Sequence, residues 1–282
     1  MLLKISKAFF CYFYIKNPSM KFYKYQGTGN DFIMIDNRNL TFPKTNVSLI
    51  NKLCDRRFGI GGDGLILLEK QSGVDFKMVY FNSDGNQSTM CGNGGRCLVA
   101  FAQRLNVISK IAVFDAIDGL HYAIILENGA VSLQMKDVLE VKVAADYVFL
   151  DTGSPHHVTL VNDLENLDVK SLGSQIRYSD LYKAKGSNVN FANQISDNHF
   201  AVRTYERGVE DETLSCGTGA TATAIAMFKL NKANSKNILI DVLGGNLKVC
   251  FDENAGVFTN VFLEGAAKFV FEGEVELPVD SD

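Results

Sequence analysis

The chain lacks the features that mark several large functional classes. Its 28 Lys+Arg are set against 32 Asp+Glu, for a formal net charge of -4, and no basic block is present that could neutralise a run of phosphates. A nucleic-acid partner is not expected. No apolar run approaches the roughly 18 residues that a membrane-spanning helix needs; Ala8 to Ile15 is about half that and sits between lysines. The chain is expected to be soluble, with no membrane partner. That N-terminal stretch is aromatic-rich and no small-x-small cleavage site follows it, so it does not read as a signal peptide. Residues 1–19 are expected to be an upstream extension, because Met20 opens the alternating, strand-like run Met-Lys-Phe-Tyr-Lys-Tyr. The six cysteines, at 11, 54, 91, 97, 216 and 250, include no C-x-x-C pair. They are too sparse in 282 residues for the framework of a small secreted domain. Reduced thiols in a cytoplasmic protein are expected, each by default a small buried hydrophobe. With four histidines in the chain, ligands for a metal are scarce, and Cys91 and Cys97, six apart on one helix, project in different directions. No metal centre is expected.

What is present is a chain 46% hydrophobic, long enough for one large domain or two ordinary ones. Turn signals recur every 8 to 15 residues and separate short β-rich runs such as Phe76–Phe81, His121–Leu126 and Val131–Met135. Two stretches read as substantial helices, about Gly94 to Leu105 and Gly219 to Leu230; both are apolar or small nearly all round, as suits helices enclosed by sheet. These helices reveal a repeat. Met90-Cys-Gly-Asn-Gly94 opens the first and Ser215-Cys-Gly-Thr-Gly219 the second, each after a strand ending in polar residues and glycine, Tyr80–Gly85 and Thr204–Gly208. Asn82 precedes Cys91 by nine positions and Glu206 precedes Cys216 by ten. A duplicated α/β unit with one cysteine per copy follows. The boundary is placed near residue 140, giving halves 20–139 and 140–266, with the final segment 267–282 returning as a strand to the first half.

A cysteine at a helix start faces unpaired N–H groups and the positive end of the helix dipole, which favour its thiolate and are expected to lower its pKa. The following glycines let a ligand approach the backbone, so Gly92, Asn93, Gly217 and Thr218 can present N–H groups to a carboxylate. Two such units facing each other across a pseudo-twofold axis would aim two sulfurs at one substrate from opposite sides. That arrangement suits removal of a proton from one face of a stereocentre and delivery to the other, as in racemisation at an amino-acid Cα. Without a pyridoxal electron sink, the carbanion-like transition state has to be stabilised by helix-end N–H groups in a closed site. Three further segments are less specific. Gly27–Phe32 is a glycine turn carrying Asn30 and Asp31, Gly153–His156 ends in a histidine able to serve a thiol, and Tyr205–Gly208 carries Glu206 and Arg207, by default a solvated pair. Gly59-Ile-Gly-Gly-Asp-Gly64 matches G-x-G-x-x-G but leads into Leu65-Ile-Leu-Leu68, which reads as strand; nucleotide binding is not expected.

From Met20 to the tail at Val261–Gly265 and Phe271–Glu276, these motifs resemble the diaminopimelate epimerase family. The specific segments are Asn82-Ser-Asp-Gly85 through Met90–Arg96, and Glu206-Arg-Gly208 through Glu212–Gly219. The resemblance implies an α/β (α+β) fold of two pseudo-symmetric halves, each a curled mixed β-sheet around a central helix, with the site in the cleft between them. It implies conversion of the small-molecule substrate LL-diaminopimelate to the meso form without cofactor or metal, on the route to lysine and peptidoglycan, and is compatible with a homodimer. Carried over by position, Cys91 and Cys216 look like the acid/base pair, with His156 and Glu206 setting their protonation. Gly92, Asn93, Gly217 and Thr218 would bind the reacting carboxylate and Asn30 the amino group beside it, while Asn82, Asn188 and Arg207, with Glu206, would hold the distal amino acid. Gly64 stands where glutamine is common and Ser154 where asparagine is common, and the spacing after Glu206 is one residue longer. Proline and hydroxyproline racemases share the fold but usually carry histidine after Cys-Gly, where this chain has Asn93 and Thr218. A zinc or redox thiol protein and a non-catalytic binding module are the readings from other classes.

Overall fold

The computed structural model describes residues 19–277; the extension expected at residues 1–19, apart from Ser19, and Cys11 with it, lies outside the described residues. The first half lays down β1 (Ser19–Gly27), β2 (Asn30–Asp36), α1 (Val47–Cys54), β3 (Gly64–Glu69), β4 (Phe76–Asn82), α2 (Gly92–Arg104), β5 (Ile111–Ala116), β6 (Gly119–Ile125) and β7 (Val131–Gln134). A short β8 (Val141–Val143) leads to β9 (Val148–Asp151), β10 (Pro155–Leu160), α3 (Val169–Arg177), β11 (Asn188–Ser196), β12 (His199–Glu206) and β13 (Asp211–Thr213). Then follow α4 (Gly217–Lys229), β14 (Asn237–Val242), β15 (Gly245–Asn254), β16 (Val257–Gly265) and β17 (Lys268–Glu276).

The sequence repeat is also a repeat of strand pairing. β1–β2 is antiparallel, β2–β3 parallel, β3–β4 antiparallel, β4–β5 parallel, and β5–β6–β7 antiparallel. The second half repeats that order through β9, β10, β11, β12, β14, β15 and β16. Each parallel step needs a crossover, and α1, α2, α3 and α4 supply the four. β17 returns from the end of the chain to pair with β1, and β7 and β16 join the two sheets edge to edge.

Each sheet curls around its central helix, α2 or α4, and the two helices share one core. α2 contributes Cys97, Leu98, Val99, Phe101 and Ala102; α4 contributes Ala220, Ala222, Ala224, Ile225, Ala226 and Met227. The small residues of α4 let strands close on it from all sides, and its buried Thr221 and Thr223 hydroxyls donate to the carbonyls of Gly217 and Gly219. α1 and α3 cover the outer faces. Leu49, Ile50 and Leu53 of α1 pack on Ile33, Ile35, Leu65 and Leu67, so β2 and β3 are buried on both sides. This explains why Leu65-Ile-Leu-Leu68 is unbroken rather than alternating. No helix among the described residues is long and apolar enough to cross a membrane.

Candidate active site

Cys91 and Cys216 each precede the first turn of a central helix in extended backbone, and neither helix start carries a side-chain cap. The first N–H groups of α2 and α4 are thus left for another acceptor. The two helix starts abut. A Cβ built on Gly217 would lie 3.7 Å from Gly92 Cα, 3.5 Å from Asn93 Oδ1 and 2.9 Å from Leu263 Cδ2. Cys91 keeps partial exposure while Cys216 is 7% exposed, and Cys216 Sγ stands 3.4 Å from Thr218 Oγ1.

The expectation of lowered thiol pKa values is corrected here. Burial pushes both thiols up and the charge of Glu206 adds to it, outweighing the helix-start N–H groups of Gly94 and Asn93 at Cys91, and of Gly219 with the Thr218 hydroxyl at Cys216. The helix start acts in the expected sense, but desolvation in a closed site is the larger effect. The Cys91 thiolate would also raise the Cys216 thiol, which disfavours ionisation of both sulfurs at once.

An amide chain links the two cysteine segments. Arg96 Nη2 donates to Asn93 Oδ1 at 2.9 Å; Asn93 Nδ2 donates to Asn30 Oδ1 at 2.6 Å and to Ser215 Oγ at 3.2 Å; Asn30 Nδ2 donates to Asp63 Oδ2 at 3.0 Å. Ser215 immediately precedes Cys216, so Asn93 ties the start of α2 to that of α4. Arg56 bridges Asp63 and Asp31, and Lys24 also pairs with Asp31. Burial opposes the ionised form of Asp31, but Arg56 and Lys24 prevail and hold its carboxyl at about 2.

In the second half, Glu206 Oε2 accepts from Thr213 Oγ1 at 3.0 Å while burial pushes its carboxyl up. Arg207 enters a different network. Its N–H donates to Asn188 Oδ1 at 2.9 Å, its Nη1 to the Lys185 carbonyl at 3.0 Å and its Nη2 to Ser154 Oγ at 3.5 Å; Asn188 Nδ2 donates to Ser154 Oγ at 2.8 Å. His156 is wholly buried. Its Nδ1 accepts from Asn190 Nδ2 at 3.1 Å, which places the hydrogen of the neutral ring on Nε2, a buried atom without a partner. Burial first, and the charge of Arg207 second, lower it to about 3, so the imidazole is neutral at neutral pH. Asn82 is exposed at the end of β4, opposite Gly64. Among the described residues no group of three or more His, Cys, Asp or Glu is brought together as a metal site.

Sequence reasoning missed Asp63, Arg96 and Asn190. Asp63 lies in the Gly59–Gly64 run, and the signal that points to it is a carboxylate in a turn before a buried strand. Arg96 shows as the one charge in the stretch Gly92–Ala102. Asn190 sits inside a strand and gave no signal.

The sequence profile described as "Diaminopimelate epimerase" matches residues 22–145 and again 148–270. The chain belongs to the diaminopimelate epimerase family. A diaminopimelate epimerase of Flavobacterium psychrophilum is 67% identical over 253 residues, covering 90% of this chain and 99% of that protein. One of Chlorobaculum tepidum is 42% identical over 260 residues, covering 89% and 99%. Solved structures share the fold at lower identity. A Bacillus anthracis phenazine biosynthesis protein of the PhzF family has a TM-score of 0.74 at 13% identity, over 92% of this chain and all of that one (100%). A hydroxyproline epimerase from Agrobacterium vitis with bound trans-4-OH-L-proline has 0.65 at 16%, over 93% and 94%. Gly64 and Ser154, where the resemblance implies other residues, have specific surroundings. A Cβ on Gly64 would meet Tyr80 Cε2 and the Phe81 carbonyl oxygen, each at 2.5 Å, and Ser154 joins Asn188 to Arg207.

Proposed function

We propose that this chain converts LL-2,6-diaminopimelate to meso-diaminopimelate by a two-thiol mechanism, in the cytoplasm, as a step towards lysine and peptidoglycan precursors. The observation that carries this reading is the meeting of two equivalent, uncapped helix starts, each with a cysteine before its first turn. The reacting carboxylate binds the N–H groups of Gly92, Asn93, Gly217 and Thr218. One sulfur, as thiolate, takes the Cα proton, and the other, as thiol, gives its proton to the opposite face. Charge and protons balance: the substrate is inverted and the two sulfurs exchange protonation states. The raised thiol pKa values fit this cycle, because a basic thiolate is a better acceptor for a weakly acidic C–H. The helix-start N–H groups stabilise the negative charge that develops on the carboxylate.

Glu206, whose charge reaches both sulfurs, discourages their simultaneous ionisation, and neutral His156 acts as a hydrogen-bond donor through Nε2. Asn30, beside Asp63, receives the reacting amino group; Asn82, Asn188 and Arg207, with Glu206, hold the distal amino acid. The halves 20–139, completed by the returning segment 267–282, and 140–266 close on the substrate. Thiols and helix ends together leave no step that calls for a cofactor.

The test is incubation of pure LL-diaminopimelate in D₂O, following meso product and deuterium at Cα. Wild type should give both; Cys91→Ala and Cys216→Ala should each keep the fold and lose at least about a thousandfold in kcat, the upper range for one general acid or base. Retention of more than a few per cent of turnover by either folded variant would overturn the reading.

A further inference from the structure

Arg96 is a fully buried side chain, 0% exposed, on the first turns of α2. Its Nη2 donates to Thr28 Oγ1 at 2.8 Å and Asn93 Oδ1 at 2.9 Å, while Nε and Nη1 have no partner. Gly265 presses its backbone on the group: a Cβ there would lie 3.0 Å from Nε and 3.1 Å from Cζ. No carboxylate among the described residues pairs with it; the groups whose negative charge would favour it are the sulfurs of Cys97 and Cys91. Taking an uncompensated guanidinium out of water costs several kcal/mol, and clamping Thr28 and Asn93 requires only donors, which a neutral amide could provide. The positive charge itself therefore calls for a role. An anion that comes and goes nearby, at the Cys91 sulfur and on a carboxylate at the helix start, supplies one.

We infer that Arg96 is the buried counter-charge of the site and a positioning residue for Asn93. Having donors only, it forces Oδ1 of Asn93 to face it. Nδ2 must then face Asn30 and Ser215, which polarises the chain from the Arg96 cation through two amides to the Asp63 carboxylate. The same cation stabilises the anion at Cys91 against burial and the charge of Glu206 on β12, which oppose it; Tyr80 on β4, Cys97 on α2 and Cys216 before α4 also face this sulfur and are themselves pushed up by its charge, and Asp63 acts one step beyond, on Glu206. The N–H groups of Asn93 and Gly94 act in the same direction as Arg96.

This rests on the reading of Cys91 as a proton-transferring thiol, yet its test uses no turnover, so the two can fail separately. Full-length wild type, Arg96→Gln and Arg96→Lys are alkylated with iodoacetamide across a pH series, and modification of Cys91 is followed by peptide mass spectrometry. Arg96→Gln keeps a donor for Thr28 and Asn93 but loses the charge. Its Cys91 should react about tenfold more slowly at neutral pH, with the midpoint shifted up by about one unit, while Arg96→Lys stays within about threefold of wild type. An unchanged Cys91 profile in folded Arg96→Gln would overturn the inference. If that variant does not fold, Arg96→Lys carries the test, and a tenfold loss of Cys91 reactivity in it would overturn the charge assignment.

Discussion

At position 64 the missing side chain matters as much as any that is present. Tyr80 is 9% exposed, and its ring fills the volume into which a side chain on Gly64 would grow. A Cβ contact of 2.5 Å with a backbone carbonyl cannot be relieved by a rotamer change. Gly64→Gln is therefore expected to destabilise the protein by about 2 kcal/mol or more through overpacking and strand distortion, as read by urea denaturation; stability equal to wild type would show that β3 and β4 can shift apart here as Tyr80 moves. In the proposed binding mode Arg207 holds the other end of the substrate. Its two terminal nitrogens already reach in different directions, to the Lys185 carbonyl and to Ser154 Oγ, and a planar fork serves such a position in a way an ammonium does not. Arg207→Lys should lose about 2 kcal/mol in kcat/KM, the scale of a charge-assisted hydrogen bond left unmade. A simple alkyl amino acid turned over as well as diaminopimelate by wild type would show that this cluster does not read a distal head.

Among the elements, α2 and α4 matter most, because their starts bring the two sulfurs to one place, and the small residue at each start controls how near they come. The contacts differ between the copies. A Cβ on Gly92 would meet Leu263 and Met135 at 3.5 to 3.8 Å, ordinary contact, whereas one on Gly217 would press on Leu263 at 2.9 Å. Leu263 is itself wholly buried, so the strain at 217 would be relieved by moving α4 outward. Gly92→Ala is expected to keep kcat within a few-fold of wild type and Gly217→Ala to lose more than about tenfold, the usual scale for misplacing a catalytic group; equal effects would mean the helix starts are not held by this contact. α2 and α4 were legible in the sequence because a helix-length stretch rich in small and apolar residues after Cys-Gly-x-Gly has few other readings, and the repeat of that phrase exposed the duplication. α1 and α3 were not, since eight and nine residues give barely two turns of periodicity. Their starts, Asn46 accepting from Leu49 N and Asp168 from Ser171 N, are ordinary caps that equally read as loop polar residues. The amide chain from Arg96 to Asp63 was beyond sequence reasoning for a different reason: it joins residues from three separated segments, and only the packing of β2 beside β3 and α2 brings them together.

The molecule as a whole is two copies of one unit that cannot be separated cleanly. β17 completes the first sheet from the end of the chain, β7 pairs with β16, and the cores of α2 and α4 are continuous. Unfolding should accordingly be one cooperative transition, with calorimetric and van't Hoff enthalpies in agreement; two resolved transitions would show that the halves hold together less tightly than their pairing indicates. The same cooperativity makes acid sensitivity a property of the whole chain, because stability lost at one buried group is lost by the single unfolding transition. His156 and His157 adjoin one another on β10, and burial lowers them to about 3 and about 4. Both are neutral in the folded protein down to those values, whereas an unfolded histidine takes up its proton near pH 6.5. Their folded pKa values are depressed, so the stability they contribute is complete above about pH 6.5 and falls as the pH drops below it, by about 1.4 kcal/mol per pH unit for each histidine. Between pH 7 and pH 5.5 the pair should remove about 2.5 kcal/mol, before most carboxylates begin to titrate. His157 stacks on Tyr147 with ring centroids 4.5 Å apart, a contact that phenylalanine can keep. His157→Phe should therefore roughly halve the pH dependence of the urea midpoint over this interval while lowering stability at pH 7 only modestly, through the lost bond to the Tyr182 hydroxyl. A wild-type midpoint that stays flat from pH 7 to 5.5 would mean that these imidazoles accept protons inside the folded chain.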